Sequence, residues 1–148
     1  MTEPIILERL IAAPPSVVYA YLTQAEKWAR WQGVSATIQP SRGGIFAMCM
    51  AKGMKARGQF VELVPDQRVV FTWGWTDHPG VPPGSSIVEI DLIAEDTGTM
   101  LRLTHRGLPT HEVPVHAVGW NHYLPRLAQV AEGGNPGPDV GPPRASGP

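Results

Sequence analysis

Residues 86–131 read SIVEIDLIAEDTGTMLRLTHRGLPTHEVPVHAVGWNHYLPRLAQVA, and the fold turns on a change of period within them. From Ser86 to Ala94, apolar Val88, Ile90 and Leu92 alternate with Glu89 and Asp91, which is the period of a half-buried strand. Asp96-Thr97-Gly98 is a hairpin turn. Met100 to Arg106 returns as the partner strand, with Leu101 and Leu103 alternating with Arg102 and Thr104. Gly107-Leu108-Pro109 stops it. Beyond that point the period becomes helical. Trp120, Tyr123, Leu124, Leu127 and Ala131, with His116 at the margin, fall three or four apart and share one face. Thr110 is placed to cap this helix, and Glu112 to complement its dipole. Pro125 inside it is expected to bend it, and Gly119 to let a neighbouring backbone approach closely.

Upstream, Ile5 to Ile11 is short and apolar enough for a first strand. Ala12-Ala13-Pro14-Pro15 breaks it, and Pro15 suits the first turn of a helix carrying Val17, Val18, Tyr21 and Leu22. Thr23 is placed to cap a second short helix through Trp28 and Trp31, ended by Gly33. Strands are expected over Val34 to Gln39, Ile45 to Met50, Ala56 to Val64 and Arg68 to Trp75, with a Pro- and Gly-rich loop from Asp77 to Ser85. One strand, two short helices, about six strands and one long helix make an α+β domain, not a parallel nucleotide-binding sheet.

Composition narrows the function classes. With 12 Lys and Arg against 13 Asp and Glu in 148 residues, there is no basic field to attract nucleic acid or an anionic membrane. Cys49 is the single cysteine, so no intrachain disulfide forms. The N-terminus does not read as a secretory signal and no apolar run would span a bilayer, so the expected compartment is the cytoplasm. The domain is expected over residues 1–132. Residues 133–148 (GGNPGPDVGPPRASGP) read as a flexible tail, with too little apolar surface to offset their ordering entropy.

A resemblance emerges from an ordered series of segments. They are IAAPPSVVYAYLT at 11–23, Trp28 with Trp31, Gly43-Gly44-Ile45-Phe46, Gly58-Gln59-Phe60-Val61-Glu62 with Pro65, Val70-Phe71-Thr72-Trp73, Leu101-Arg102-Leu103-Thr104-His105, and Gly119-Trp120 with the leucines after it. Together they resemble the activator of heat-shock-protein-90 ATPase-like family of the SRPBCC (START/Bet v 1-like) superfamily. The resemblance implies a helix-grip fold: a curved antiparallel sheet of about seven strands around a long C-terminal helix, with a cavity between them. It implies no common reaction, because this fold hosts carriers, cyclases, hydrolases and chaperone regulators.

The cavity is the expected functional site. Strand parity assigns it Phe46, Met48 and Met50, then Phe71, Trp73 and Trp75. Val88, Ile90 and Leu92 point the same way, as do Leu101, Leu103 and His105. His116, Trp120, Tyr123 and Leu127 close it from the helix, with Trp31 at the mouth. Trp, Tyr and Met in such a wall suit bulky, partly aromatic ligands. No metal or cofactor motif is present. Cys49 lacks an adjacent base, Ser85 and Ser86 lie outside any nucleophile elbow, and Glu62, Glu89 and Asp91 fall on exposed parity. His105, His116 and Tyr123 are the acid–base candidates, and no catalytic constellation joins them.

Three readings follow in order. The first is a binding protein for a small hydrophobic molecule, lipid-like or aromatic. The second is an enzyme such as a cyclase or hydrolase on an aromatic or polyketide-like substrate. The third is a chaperone ATPase regulator; it ranks last because the eukaryotic activators carry an additional N-terminal domain. A homodimer is compatible with an exposed strand edge or Trp-containing face.

Overall fold

A computed structural model of the chain describes residues 3–142. Seven strands form one antiparallel sheet: β1 (Ile5–Ile11), β2 (Ser35–Ile38), β3 (Ile45–Cys49), β4 (Lys55–Val64), β5 (Arg68–Trp73), β6 (Ser86–Glu95) and β7 (Gly98–Arg106). Their order across the sheet is β1-β7-β6-β5-β4-β3-β2. Consecutive strands from β2 to β7 are neighbours, as hairpins dictate, and β1 closes on β7. The short helices α1 (Pro15–Thr23) and α2 (Ala25–Trp28) fill the link from β1 to β2. The long helix α3 (Val113–Ala131) follows β7 and packs against β1 and α1. This is the helix-grip architecture that the resemblance implied.

The alternation in β6 and β7 buries Val88, Ile90, Leu92, Leu101, Leu103 and His105 on the concave face. The register sets Val88 opposite His105 and Ile90 opposite Leu103, so the two rows lie side by side on the buried face. The sheet curls at β4. Its register against β5 shifts between Phe60 and Glu62, and Gly58 lies so close to β5 that a Cβ would overlap the Thr72 carbonyl.

An aromatic cluster fills the middle of the grip. Phe46 stacks on Phe71 at 4.0 Å between ring centroids, Trp28 meets Phe46 edge-on at 4.9 Å, and Trp31 leans on Trp28 at 4.6 Å. All four are fully buried. Rings at these separations add about 0.5–1.5 kcal/mol per pair beyond the area they bury.

Several local expectations are corrected. Thr23 does not cap α2: its hydroxyl donates back to the Tyr19 carbonyl at 2.9 Å, and Gln24 takes the cap position. That helix ends at Trp28, before Trp31. Thr110 opens a separate 3₁₀ turn, Thr110–Glu112, behind Pro109, and α3 starts afterwards with Pro114 in its first turn. α3 does run to Ala131 with Pro125 inside it, as expected. β5 ends at Trp73, where Gly74 lies against the Pro82 carbonyl and the Trp75 amide donates to the Val81 carbonyl at 2.8 Å; beyond it Trp75 keeps an isolated bridge to Ala56 of β4.

The described part of the expected tail carries defined contacts. Residues 133–142 form no helix or strand, yet Asp139 is only 6% exposed. Its Oδ2 accepts the Gly33 amide at 2.7 Å and the Tyr123 hydroxyl at 2.9 Å. Arg126 donates to the carbonyls of Trp31, Pro136 and Gly137. This stretch therefore runs as a strap along α3. Residues 143–148 lie outside the described residues.

Candidate functional site

A cavity of about 400 Å³ opens at one end of the grip. Trp73 reaches it from β5, and Trp75 from just past the strand's end. His116, Gly119, Trp120 and Tyr123 face it from α3. Met50, Lys52 and Met54 close it from the link between β3 and β4, and Gly141 and Pro142 from the strap. Gln32, Ala51, His78, Glu112 and Val115 complete the lining. The three indoles stand at angles to one another: Trp73 and Trp75 are 5.3 Å apart at 84°, and Trp73 and Trp120 are 5.5 Å apart at 51°.

Of the residues expected at the site, Met50, Trp73, Trp75, His116, Trp120 and Tyr123 line this cavity. The others lie in the core. Trp31 is fully buried and donates its Nε1 proton to the Tyr21 carbonyl at 3.1 Å, so it is not at the mouth. Phe46, Met48, Phe71, Val88, Ile90, Leu92, Leu101, Leu103 and Leu127 pack together in the core cluster. The reason is volume: the rings of Trp28, Trp31, Phe46 and Phe71 occupy the centre of the interface, and the cavity lies beyond them at the end marked by Trp75. His78, Glu112 and Lys52 were not expected at the site. The sole sequence signal for His78 and Glu112 was polar residues in the segments flanking α3 and β5.

Two histidines are held by tryptophans. Trp120 Nε1–H donates to His105 Nδ1 at 3.0 Å. Ser86 Oγ lies 2.9 Å from both His105 Nε2 and the Trp73 carbonyl. The serine has one proton and the carbonyl can only accept, so His105 Nε2–H must donate to Ser86. The chain of donors is complete, and it needs His105 neutral. Burial, then the nearby His116, pushes its pKa down to about 3. The His105 ring lies behind Trp120, only 1% exposed. His116 repeats the arrangement. Trp75 Nε1–H donates to its Nε2 at 3.1 Å, and its Nδ1 lies 2.9 Å from the Glu112 carbonyl, to which it donates. Burial also lowers the His116 pKa. Tyr123 gives its proton to Asp139, and burial followed by that hydrogen bond raises its pKa.

Each acid–base candidate from the sequence thus has its titratable atoms committed within the chain. What the arrangement provides is an aromatic wall in which Trp75 and Trp120 spend their Nε1 protons on histidines. Two buried polar atoms find no hydrogen-bond partner among the described residues, Trp73 Nε1 and His122 Nε2, and of the two only Trp73 belongs to the cavity lining. Among those residues, no group of three or more His, Cys, Asp or Glu is arranged to hold a metal ion, and no helix is long and apolar enough to cross a membrane.

Comparison with known proteins points one way. The family model described as Activator of Hsp90 ATPase homolog 1-like protein matches residues 12–132. The human activator of 90 kDa heat shock protein ATPase homolog 1 is 26% identical over 122 residues, which are 82% of this chain and 35% of that protein. The chain therefore spans about a third of the length of that curated relative. The solution structure of the AHSA1-like protein RHE_CH02687 from Rhizobium etli is 47% identical, with a TM-score of 0.72 over 93% of this chain and 88% of that one. The solution structure of the Aha1 dimer from Colwellia psychrerythraea gives a TM-score of 0.77 over 88% and 97% of the two chains. At 17% identity this is a likeness of fold alone.

Proposed function

This chain belongs to the Activator of Hsp90 ATPase homolog 1-like family, and from that premise we propose that it binds a small hydrophobic molecule, lipid-like or aromatic, in the cavity beside α3. The observation that carries the reading is Gly119. A Cβ built there meets no atom within 4 Å. The helix keeps a glycine, at a cost of roughly 0.5–1 kcal/mol against alanine, where it faces open space between Trp75, Trp120 and Tyr123. The volume suits a ligand of modest size, and indole walls supply apolar area with little entropy to lose. Trp73 Nε1 offers one donor to a polar atom of the ligand.

Gly119→Leu is the test, because it fills the space without touching the core. A thermal-shift and native mass spectrometry screen of aromatic and lipid-like molecules is run on both chains. A ligand at about a hundred times its Kd stabilises by about 2.7 kcal/mol, so the unaltered chain should melt several degrees higher. The Gly119→Leu chain should melt normally and show no such shift. Ligand binding that survives the substitution sinks the reading.

An enzymatic reading has less support, since His105, His116 and Tyr123 are all committed. A chaperone-directed role rests on the likeness to the human activator. A chaperone ATPase rate that rises with added chain would favour it over ligand binding. Self-association is carried with the proposal because β1 and β2 are free sheet edges and the Colwellia relative is named a dimer. Light-scattering mass decides that point.

A further inference from the structure

Within the proposed cavity, and resting on that reading, one group is out of balance. Glu112 lines the cavity and is only 8% exposed. Its ionic contacts among the described residues are all histidines: His78 at 2.9 Å, His116 at 3.5 Å and His111 at 3.6 Å. No lysine or arginine pairs with it among those residues.

The hydrogen bonds say what these histidines contribute. His78 Nδ1 accepts the Gly80 amide at 3.2 Å, so the His78 proton sits on Nε2 and is donated to Glu112 Oε2. His78 therefore meets the carboxylate as a hydrogen-bond donor. His116 spends its Nδ1 proton on the Glu112 backbone carbonyl at 2.9 Å, leaving Oε1 with only a distant contact. His111 has a side chain 74% exposed and stands outside. Among the described residues this buried carboxylate has no lysine or arginine beside it, an arrangement that a charged partner would relieve.

The walls suit such a partner. Trp75 and Trp120 direct their Nε1 protons to His116 and His105. Both rings line the cavity, with Trp73 set at an angle to both. Indole faces around a carboxylate attract an ammonium group by cation–π and ionic terms together. Lys52 is the one permanent cation on the lining, and it sits exposed at the rim in water. Asp139, the other buried carboxylate nearby, is already saturated by Gly33, Tyr123 and Gly141.

We propose that the cavity selects hydrophobic amines: ligands with an apolar or aromatic body and an ammonium head paired with Glu112.

Three probes with one body test it by isothermal titration: 4-phenylbutylamine, 4-phenylbutanol and 4-phenylbutyrate. The amine should bind roughly tenfold tighter than the alcohol, and the carboxylate weakest. Glu112→Gln keeps the shape and removes the charge, so it should bring the amine down to the alcohol's affinity and leave the alcohol within about twofold. The head-group preference of the unaltered chain is a readout that needs no variant. Equal binding of amine and alcohol, or tightest binding of the carboxylate, overturns the amine proposal while the cavity reading stands. Binding of none of the three, with no ligand found in the broader screen, removes both.

Discussion

His105 shows how a buried polar group can be structural while looking catalytic. It accepts from Trp120 and donates to Ser86, and both bonds require the neutral ring. Its folded pKa, pushed down to about 3 chiefly by burial, lies below the unfolded value of about 6.5. Between those values the unfolded chain binds the extra proton. Stability is therefore complete above about pH 6.5 and falls as the pH drops toward 3, by up to about 1.4 kcal/mol per unit. His116, shifted the same way by burial, steepens that limb. His105→Gln should cost about 1–3 kcal/mol at pH 7 through weakened hydrogen bonds, yet show a limb shallower by about one proton. Urea denaturation at pH 7, 6, 5 and 4 measures both, and parallel limbs would refute the assignment. Strand parity in the sequence was enough to turn this ring inward. It could not supply the partners, because Ser86 and the Trp73 carbonyl come from the other strands and hydrogen-bond direction depends on a complete count of donors.

At the scale of elements, α3 does most to position the site. Its stripe of Trp120, Tyr123, Leu124 and Leu127 was readable from spacing, since one buried face imposes its period on the sequence. Its start was not readable. Thr110 has the chemistry of a cap, but Pro109 and Pro114 divide the entry into a 3₁₀ turn followed by the helix. That turn is what sets Glu112 beside His116 at the cavity. The spacing also suggested that Gly119 admits a close backbone, whereas it borders empty space. Gly119→Ala discriminates between the two. In open space the new methyl should raise stability by roughly 0.5–1 kcal/mol, about 1–4 °C in Tm, through helix propensity alone. Against a packed backbone it would instead lower Tm, and a calorimetric melt distinguishes the signs.

For the molecule as a whole, the core and the cavity divide one interface. Phe46, Phe71, Trp28 and Trp31 fill its centre, and the open end is finished by the strap. The sequence read residues from 133 onward by their average composition, and an average of Gly and Pro reports no docking. A single buried carboxylate decides otherwise for residues 133–142: Asp139 ties the strap to Gly33 before β2 and to Tyr123 on α3, which carries Gly141 and Pro142 to the cavity wall. Asp139→Ala leaves the Gly33 amide and the Tyr123 hydroxyl without their acceptor. Stability should fall by about 2 kcal/mol, or roughly 4–8 °C in Tm. Hydrogen exchange at the Gly33 amide should quicken at the same time, because its bond is the direct link between strap and body. A bound ligand should also dissociate faster, since the wall formed by Gly141 and Pro142 then loses its nearest tie, and the contacts left among the described residues, such as those of Arg126 to Pro136 and Gly137, lie further up the strap. Unchanged exchange at Gly33 together with an unchanged Tm would mean that the strap is not docked in solution. An altered Tm with unchanged ligand kinetics would make Asp139 a clamp on the fold and leave the cavity's closure to the aromatic wall.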